Sequence, residues 1–403
     1  MRISTIFKKG FLKYLLFFTL LNFILYFFIW GLGQKTKINV VDYNVGYHYF
    51  PDPRALGQKP DIFKSLLVFD AQWYMKIVAE GYPKILGNLP LQKLAVADAA
   101  TYAFFPLYPM VVFLVNKMVN NIPLTIFIFS NFLILFNFLL LYLFIKTIDS
   151  DRVAIKTALL TFLFPMAIVL RSGYAETFFL TLLIIFSYLI SKKKFSSAAV
   201  IYGLMTITKA NSFPLVLILI YEALKSQGKF SLIKKIQHTI FLLFLSGLPL
   251  AIFIYYCFQK TGNPFIFLKV RALWYSNTLN WPWLLFSHLL DNLYAMVEFP
   301  FLKFHQFASS KVEVVTVALI LYLLIKSYRK IPSFLWYISF LFWLFPILTT
   351  TLLSYTRYQV VSFPIFYFLA KKLMGWRYVI LLAAFVVGIF IVSRYFVGWY
   401  WVG

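Results

Sequence analysis

The segment 68–83, VFDAQWYMKIVAEGYP, places a carboxylate where apolar side chains are expected. Wound as a helix at about 100° per residue, it aligns one acid with four apolar or aromatic residues on a single face: Asp70, Trp73, Tyr74, Ile77 and Val78. A carboxylate that enters lipid or a protein core is costly unless something compensates it. Two explanations fit the pattern: Asp70 performs chemistry, or it caps a helix that begins at Ala71.

Other ionisable residues lie beside apolar segments, where the bilayer makes them costly, and they are the next candidates for chemistry. They are Glu80 in the same segment, Arg171 and Glu176 in RSGYAETFF, Lys269 and Arg271 in GNPFIFLKVRALW, and Arg357 in SYTRYQVVSFP. One acid with several bases is typical of a site for a phosphate-bearing substrate. Each arginine can equally place its guanidinium at lipid phosphates, and Lys76 with Glu80 has the spacing of an ordinary i,i+4 pair.

Several other kinds of site find no support in the sequence. It contains no glycine-rich phosphate loop, no HExxH pair and no GxSxG serine motif. The four histidines are scattered, so no metal site is expected on them. The Asp-x-Asp of Asp149 and Asp151 fits a solvated turn better than a metal site. The segment 277–283, NTLNWPW, fits either a surface that stacks on a sugar or an anchor at the membrane interface.

The composition indicates that these residues belong to a membrane protein. The 403 residues are 62% hydrophobic and only 13% charged, with 48 Phe and 27 Tyr. Apolar runs long enough to cross a bilayer recur along the chain, which predicts a polytopic, all-α transmembrane protein. The formal net charge of +25 comes from basic residues between these runs, so it indicates topology and contact with anionic membrane lipids, not with nucleic acid. With Cys257 as the lone cysteine, a disulfide framework is excluded.

The basic clusters predict how the chain is threaded. Arg2, Lys8, Lys9 and Lys13 precede a first span at 13–32, which predicts a cytoplasmic N-terminus and a large outer loop at 33–103. A second outer loop is predicted at 259–310. The segment 104–119 is predicted to dip in without crossing, because a full crossing would put the lysines of the next cluster outside. About eleven spans result, the others lying near 122–146, 153–171, 177–191, 197–209 with 212–225, 237–258, 311–326, 333–352, 359–373 and 378–398.

Several motifs occur in the order found in one enzyme family. FDAQWYMKIVAEGY followed by AFFPLYPMV resembles the signature of the PIG-V-like (GPI mannosyltransferase II-like) branch of the GT-C integral-membrane glycosyltransferases. FPMAIVLRSGYAETFFL, TITKANSFPLVLILIYEAL, TGNPFIFLKVRALW and TRYQVVSFPIF are similar to later motifs of that family. The resemblance covers most of residues 65–370. This chain departs from the family pattern at Phe69, Lys209, Ala210, Ser212 and Asn263.

The resemblance implies a single GT-C-type transmembrane domain over residues 1–403, with its active site on the extracytoplasmic side of the membrane, most simply the plasma membrane. Asp70 in the first outer loop would be the catalytic base. The leaving phosphate of the donor would be bound by Arg357, Arg271 and Lys209. Further contacts to substrate are expected from Glu176, Trp73, Tyr74, Arg171 and Tyr358.

The implied reaction moves a hexose, mannose by resemblance, from a polyprenyl-phosphate donor to a glycan, lipid or protein acceptor, with inversion. It needs no cofactor and no metal. A multi-spanning transporter or lipid flippase is the alternative from another class, since it would also explain many spans and buried charge. Such transporters usually show two repeated halves with paired broken helices, and this sequence shows no such symmetry.

Overall fold

The described part of the protein is built from helices. The computed structural model describes residues 9–45, 47–85, 96–228, 231–271, 310–348 and 354–402, and these residues contain no β-strand. The all-α fold class predicted from the apolar runs is therefore confirmed for the described residues. The segment NTLNWPW and the end of the second predicted outer loop lie outside them.

The helices follow one another with short connections. The α-helices are Lys9–Lys35, Val40–Val45, Ile62–Leu66, Asp70–Glu80, Val96–Ala100, Leu107–Val119, Ile122–Lys146, Asp151–Leu163, Ala175–Ser191, Phe195–Thr206, Val216–Ser226, Leu232–Thr261, Ile266–Arg271, Ser310–Ser327, Ser333–Ile347, Tyr355–Tyr358, Phe363–Lys372 and Trp376–Val397. Short 3-10 helices are Pro53–Leu56, Thr101–Ala103, Pro165–Arg171, Ala210–Leu215 and Gln359–Val361.

Long apolar helices make this a membrane-embedded protein. Within the described residues, 4 helices are long and apolar enough to cross a bilayer: Phe11–Lys35, Ile122–Lys146, Leu232–Thr261 and Trp376–Val397. A bent pair, Asp151–Leu163 with Pro165–Arg171, brings the number to 5 if it counts as one span. The predicted total of about eleven spans stays a prediction.

The bent pair corrects the continuous span that was predicted at 153–171. The chain turns by 79° between Leu163 and Pro165. Proline has no N–H to continue the helical ladder, and its ring collides with the carbonyl four residues earlier, so the α-helix ends there. The 3-10 helix that follows packs against the Trp376–Val397 helix. Pro165 packs directly on Gly388 of that helix: a Cβ at position 388 would lie only 2.6 Å from the Pro165 ring.

The helices that carry the candidate residues pack in one core. The helix Ile122–Lys146 lies against Asp151–Leu163 and Ala175–Ser191, and the outer-loop helix Asp70–Glu80 packs on it and on Leu107–Val119. Leu107–Val119 has 13 residues, about 20 Å at 1.5 Å per residue, which is shorter than a bilayer core of about 30 Å. Its length fits the prediction that this segment does not cross.

The predicted first outer loop is attached to residues 397–399 by buried polar contacts. Arg54 pairs with Asp52 at 2.6 Å and donates to the carbonyl of Val397 at 2.7 Å. The indole of Trp399 donates to the same carboxylate oxygen, Asp52 Oδ2, at 2.6 Å. Burial alone would raise the pKa of Asp52, but its hydrogen bonds and ion pair with Arg54 hold that pKa below its ordinary value. The loop is therefore a fixed part of the molecule.

Candidate functional site

Asp70 begins its helix but does not cap it. The helix Asp70–Glu80 has Phe69 at its N-cap position, with no side-chain cap hydrogen bond, so the N-cap interpretation of Asp70 is wrong. Phe69 has φ 51° and ψ −114°, a conformation that a bulky residue rarely adopts. Its ring is held between Trp399 and Trp401, each with its centroid 5.0 Å away. The turn leaves the Asp70 carboxylate free to face another part of the chain.

That carboxylate pairs with Arg357. The guanidinium Nη2 donates to Asp70 Oδ2 at 2.8 Å, across 287 positions of sequence. Arg357 comes from the one-turn helix Tyr355–Tyr358, and its side chain is only 6% exposed. Three aromatic rings lie within about 5 to 6 Å of the guanidinium carbon, at 5.2 Å for Tyr174, 5.5 Å for Tyr358 and 5.6 Å for Trp401.

Glu176 is a second carboxylate that contacts Arg357. It lies in the first turn of the helix Ala175–Ser191, and its carboxylate is 3.0 Å from Arg357 Nε and 2.6 Å from Lys209 Nζ. Gly173 makes the turn before this helix with φ 76°. A side chain on Gly173 would overlap Ile126 and approach Leu67, so the turn combines a left-handed backbone with close packing.

Four charged residues thus form one buried cluster, which we call the ion-pair cluster: Asp70, Arg357, Glu176 and Lys209. Acids and bases alternate along it, and its formal charge sums to zero. The side chains are between 2% and 16% exposed. Burial raises the pKa of the Asp70 carboxyl above its ordinary value, and the Arg357 guanidinium only partly offsets this. A carboxylate with a raised pKa is a stronger proton acceptor than an exposed one.

The aromatic residues expected to contact substrate surround the cluster. The ring of Tyr358 lies 5.5 Å from Lys209 Nζ. Trp73 stacks on Phe104 with ring centroids 5.8 Å apart, and Tyr74 packs edge-on against Tyr108 at 4.8 Å. Trp73 and Tyr74 are both buried. Both follow Asp70 by about one turn of the same helix.

One predicted site residue, Arg171, is not brought into this cluster. The guanidinium of Arg171 is fully buried and donates to Asn22 at 2.9 Å and 2.6 Å, to Ala167 at 2.7 Å and to Phe162 at 3.2 Å. It satisfies carbonyls freed by the break at Pro165 and fixes them to the first helix, so Arg171 has a structural role. Arg271 ends the helix Ile266–Arg271, and its side chain lies outside the described residues.

The remaining charged motifs are paired in ordinary ways. Lys76 lies 2.5 Å from Glu80, the i,i+4 pair expected from the sequence, and 3.3 Å from Asp98. In the Asp-x-Asp motif, Asp149 accepts from Tyr367 at 2.9 Å and pairs with Lys371 at 3.2 Å. The second acid, Asp151, lies 2.9 Å from Lys146. The two carboxylates of this motif therefore hold neighbouring helices together.

Sequence reasoning missed three residues at the cluster. Tyr174 and Trp401 stack near Arg357, and Glu313 lies behind it and accepts a hydrogen bond from the neighbouring Thr356. The dense aromatic run at 399–401 was a usable signal for Trp401. Glu313 had a signal too, as the one acid within the predicted span 311–326.

An apolar cavity of about 410 Å³ lies beside the cluster. It runs between the helices Ser310–Ser327 and Trp376–Val397 and is closed by Phe363–Lys372 and the 3-10 helix at Pro165. Thr356 and Gln359, the near neighbours of Arg357 in sequence, line it together with apolar residues such as Leu319, Ile365, Phe385 and Ile391.

Comparison with known proteins gives no relative: no protein-family model, no curated protein and no solved structure matches this chain.

Proposed function

We propose that this protein is an integral-membrane glycosyltransferase of GT-C architecture with about eleven spans. It transfers a hexose, mannose by resemblance, from a polyprenyl-phosphate donor to an acceptor on the extracytoplasmic side of the plasma membrane. The donor is the lipid partner, and the acceptor is a glycan, a lipid or a protein. The proposal rests on the motif resemblance and on the chemistry of the ion-pair cluster.

One observation carries the proposal. Asp70, Glu176, Lys209 and Arg357 belong to four separate motifs of the resembled signature, and they meet within hydrogen-bonding distance in one buried cluster. The motifs were matched from sequence alone, so nothing in the matching required them to be neighbours in space. A buried group of two acids and two bases is costly to maintain, and such groups mark functional sites in membrane proteins.

The cluster suggests how the transfer proceeds. The acceptor oxygen attacks the anomeric carbon of the sugar while its proton passes to the Asp70 carboxylate. The bond between that carbon and the phosphate oxygen breaks, and its electron pair leaves with polyprenyl phosphate. Attack opposite the leaving group inverts the configuration. Negative charge grows on the phosphate as it leaves, and Arg357 and Lys209 are fixed cations that stabilise this charge.

Binding of the donor phosphate would rearrange the ion pairs of the cluster. Arg357 and Lys209 are paired with Asp70 and Glu176 within a neutral group, so an arriving phosphate competes with these carboxylates for the two bases. When Arg357 turns toward the phosphate, the Asp70 carboxylate is released for the acceptor hydroxyl. Binding of the donor first, and of the acceptor second, follows from this exchange.

The apolar cavity supports a lipid-linked donor. Its walls suit an isoprenoid chain, and two of its lining residues, Thr356 and Gln359, lie within two positions of Arg357 in the sequence. Burial of apolar surface contributes roughly 25 cal/mol per Å², so a long chain supplies much of the affinity for the donor.

A transfer assay tests the proposal against a transporter. Purified protein in proteoliposomes is given polyprenyl-phosphate mannose that is radiolabelled in the sugar, together with a glycan extract as acceptor. A glycosyltransferase releases free polyprenyl phosphate and moves the label to a new product. Movement of the intact labelled donor across the bilayer, with no release of polyprenyl phosphate, would identify a flippase and overturn the proposal.

A further inference from the structure

A fifth charged residue lies behind the ion-pair cluster. Glu313 is in the first turn of the helix Ser310–Ser327 and is 2% exposed. Its Oε2 accepts two hydrogen bonds from Thr356, at 2.6 Å from the main-chain nitrogen and 2.5 Å from the hydroxyl. Glu313 therefore holds the residue that directly precedes Arg357.

The backbone around Arg357 needs such a support. Tyr355–Tyr358 is a single helical turn, and a turn of this length is not stable by itself. Its N-cap, Ser354, has φ 68° and makes no side-chain cap hydrogen bond. The N–H of Thr356, the second residue of the turn, has no acceptor within the helix, and Glu313 supplies one from a different element. A carboxylate that accepts from a main-chain N–H is among the stronger hydrogen bonds.

We infer that Glu313 is a positioning residue for Arg357. Arg357 must reach Asp70 at 2.8 Å and Glu176 at 3.0 Å at the same time. Hydrogen bonds weaken over a few tenths of an ångström, so a small shift of the one-turn helix breaks one of the two contacts. By fixing Thr356, Glu313 fixes the position from which the guanidinium extends. The role in donor binding rests on the proposed function, whereas the role in placing Arg357 does not.

A structure of the Glu313→Ala variant, solved by cryo-electron microscopy with a bound antibody fragment, tests the placement directly. We expect the distance between Arg357 and Asp70 to open beyond ion-pair range while the surrounding helices keep their positions. An unchanged cluster would overturn the inference. Should Glu313→Ala fail to fold, Thr356→Val removes one of the two hydrogen bonds to Glu313 and keeps the one from the N–H. We expect the distance between Arg357 and Asp70 to lengthen by less than in Glu313→Ala, and no lengthening at all would overturn the inference.

Binding of polyprenyl phosphate tests whether the placement matters for function. We expect Glu313→Ala to weaken binding at least about 10-fold and Glu313→Gln, whose amide oxygen still accepts from Thr356, to stay close to wild type.

In an Arg357→Ala background the Glu313→Ala change should add no further loss of affinity, because it acts through Arg357. Additive losses would mean that Glu313 affects binding independently of Arg357 and would overturn the inference. Glu222→Ala, at a partly buried acid that contacts Lys225 and Ser333, is the matched control. Failure of the wild-type protein to bind polyprenyl phosphate would count against the proposed function, while the structure of the variant still decides the placement.

Discussion

At the scale of single residues, Arg357 shows why the type of base matters. Its Nε faces Glu176 and its Nη2 faces Asp70, so one planar group bridges two carboxylates from different helices. A lysine ammonium has no such fork and cannot hold both acids in a fixed geometry. The neighbouring base, Lys209, contacts Glu176 and is the more adaptable cation of the two. We assign to Arg357 the main contact with the donor phosphate.

Replacement of Arg357 tests this assignment. We expect Arg357→Ala to weaken binding of polyprenyl phosphate by roughly 10- to 150-fold, since a lost charged hydrogen bond is worth about 1.5–3 kcal/mol. Titration of the lipid into nanodisc-reconstituted protein measures the affinity. Arg394→Ala, at an exposed arginine of the helix Trp376–Val397, should leave the affinity unchanged. Equal affinities for the Arg357 variant and the wild type would remove the phosphate role.

The environment of Asp70 predicts a pH dependence. Burial raises the pKa of its carboxyl above the ordinary value of about 3.9. A general base must be deprotonated to accept a proton. The transfer rate is therefore at its maximum above this raised pKa and is lost as the pH falls through it. We expect the acidic limb of a plot of kcat against pH to lie above the range of an exposed aspartate. A limb at the ordinary value would show that Asp70 is exposed to water in the working enzyme.

At the scale of elements, both acids are presented by helices that begin at unusual backbone positions. Phe69, with positive φ, precedes the helix Asp70–Glu80, and Gly173 precedes Ala175–Ser191. The strained turn at Phe69 is held by Trp399 and Trp401, which are in turn fixed to the outer loop. The geometry of the cluster therefore depends on two turns that lie outside it.

Gly173→Ala tests the more crowded of these turns. An alanine there needs positive φ and also meets Ile126, so we expect a loss of about 2–4 kcal/mol in stability, from backbone strain plus overpacking. Thermal melting in detergent measures it. Gly57→Ala is the matched control, because Gly57 has φ 71° with nothing within 4 Å and carries the strain without the collision. Equal losses in both variants would show that packing at Gly173 is loose.

The sequence predicted most helices because long apolar runs leave few other structures possible in a bilayer. The run at 122–146 became Ile122–Lys146, and the run at 378–398 became most of Trp376–Val397. The break at Pro165 was missed because apolar residues continue through it. The hydrogen bond between Arg171 and Asn22, which stabilises this break, joins residues 149 positions apart. Spacing along the sequence cannot reveal such a pair.

At the scale of the whole molecule, the polar residues gather in groups that agree with the predicted threading. The residues expected outside form the ion-pair cluster, and residues expected in the cytoplasm contact one another elsewhere. Asp149 lies 3.2 Å from Lys371, and Ser333 lies 3.3 Å from Glu222. The four charged residues of the ion-pair cluster were predictable, but their pairing was not, because acid and base were expected to contact substrate and instead neutralise each other.

Cysteine labelling in intact cells tests the threading. In a Cys257→Ala background, a cysteine introduced by Gln58→Cys in the exposed part of the outer loop should react with an impermeant thiol reagent. A cysteine introduced by Lys192→Cys, at an exposed position predicted to be cytoplasmic, should react only after the cells are permeabilised. The opposite pattern would reverse the topology and move the ion-pair cluster to the cytoplasmic side.

The measurement that tests the central claim most directly is the transfer rate of Asp70→Asn. Asparagine keeps the size of the side chain but cannot accept the acceptor's proton, and Asp70 makes no cap hydrogen bond that would be lost. We predict a variant that inserts and still binds polyprenyl phosphate but melts below wild type, because the buried ion pair with Arg357 is lost. It should transfer sugar at least about 100-fold more slowly, the low end of what general base catalysis contributes. Asp98→Asn, at a half-exposed acid of the same loop, should keep its activity. Near-normal transfer by Asp70→Asn would contradict the account.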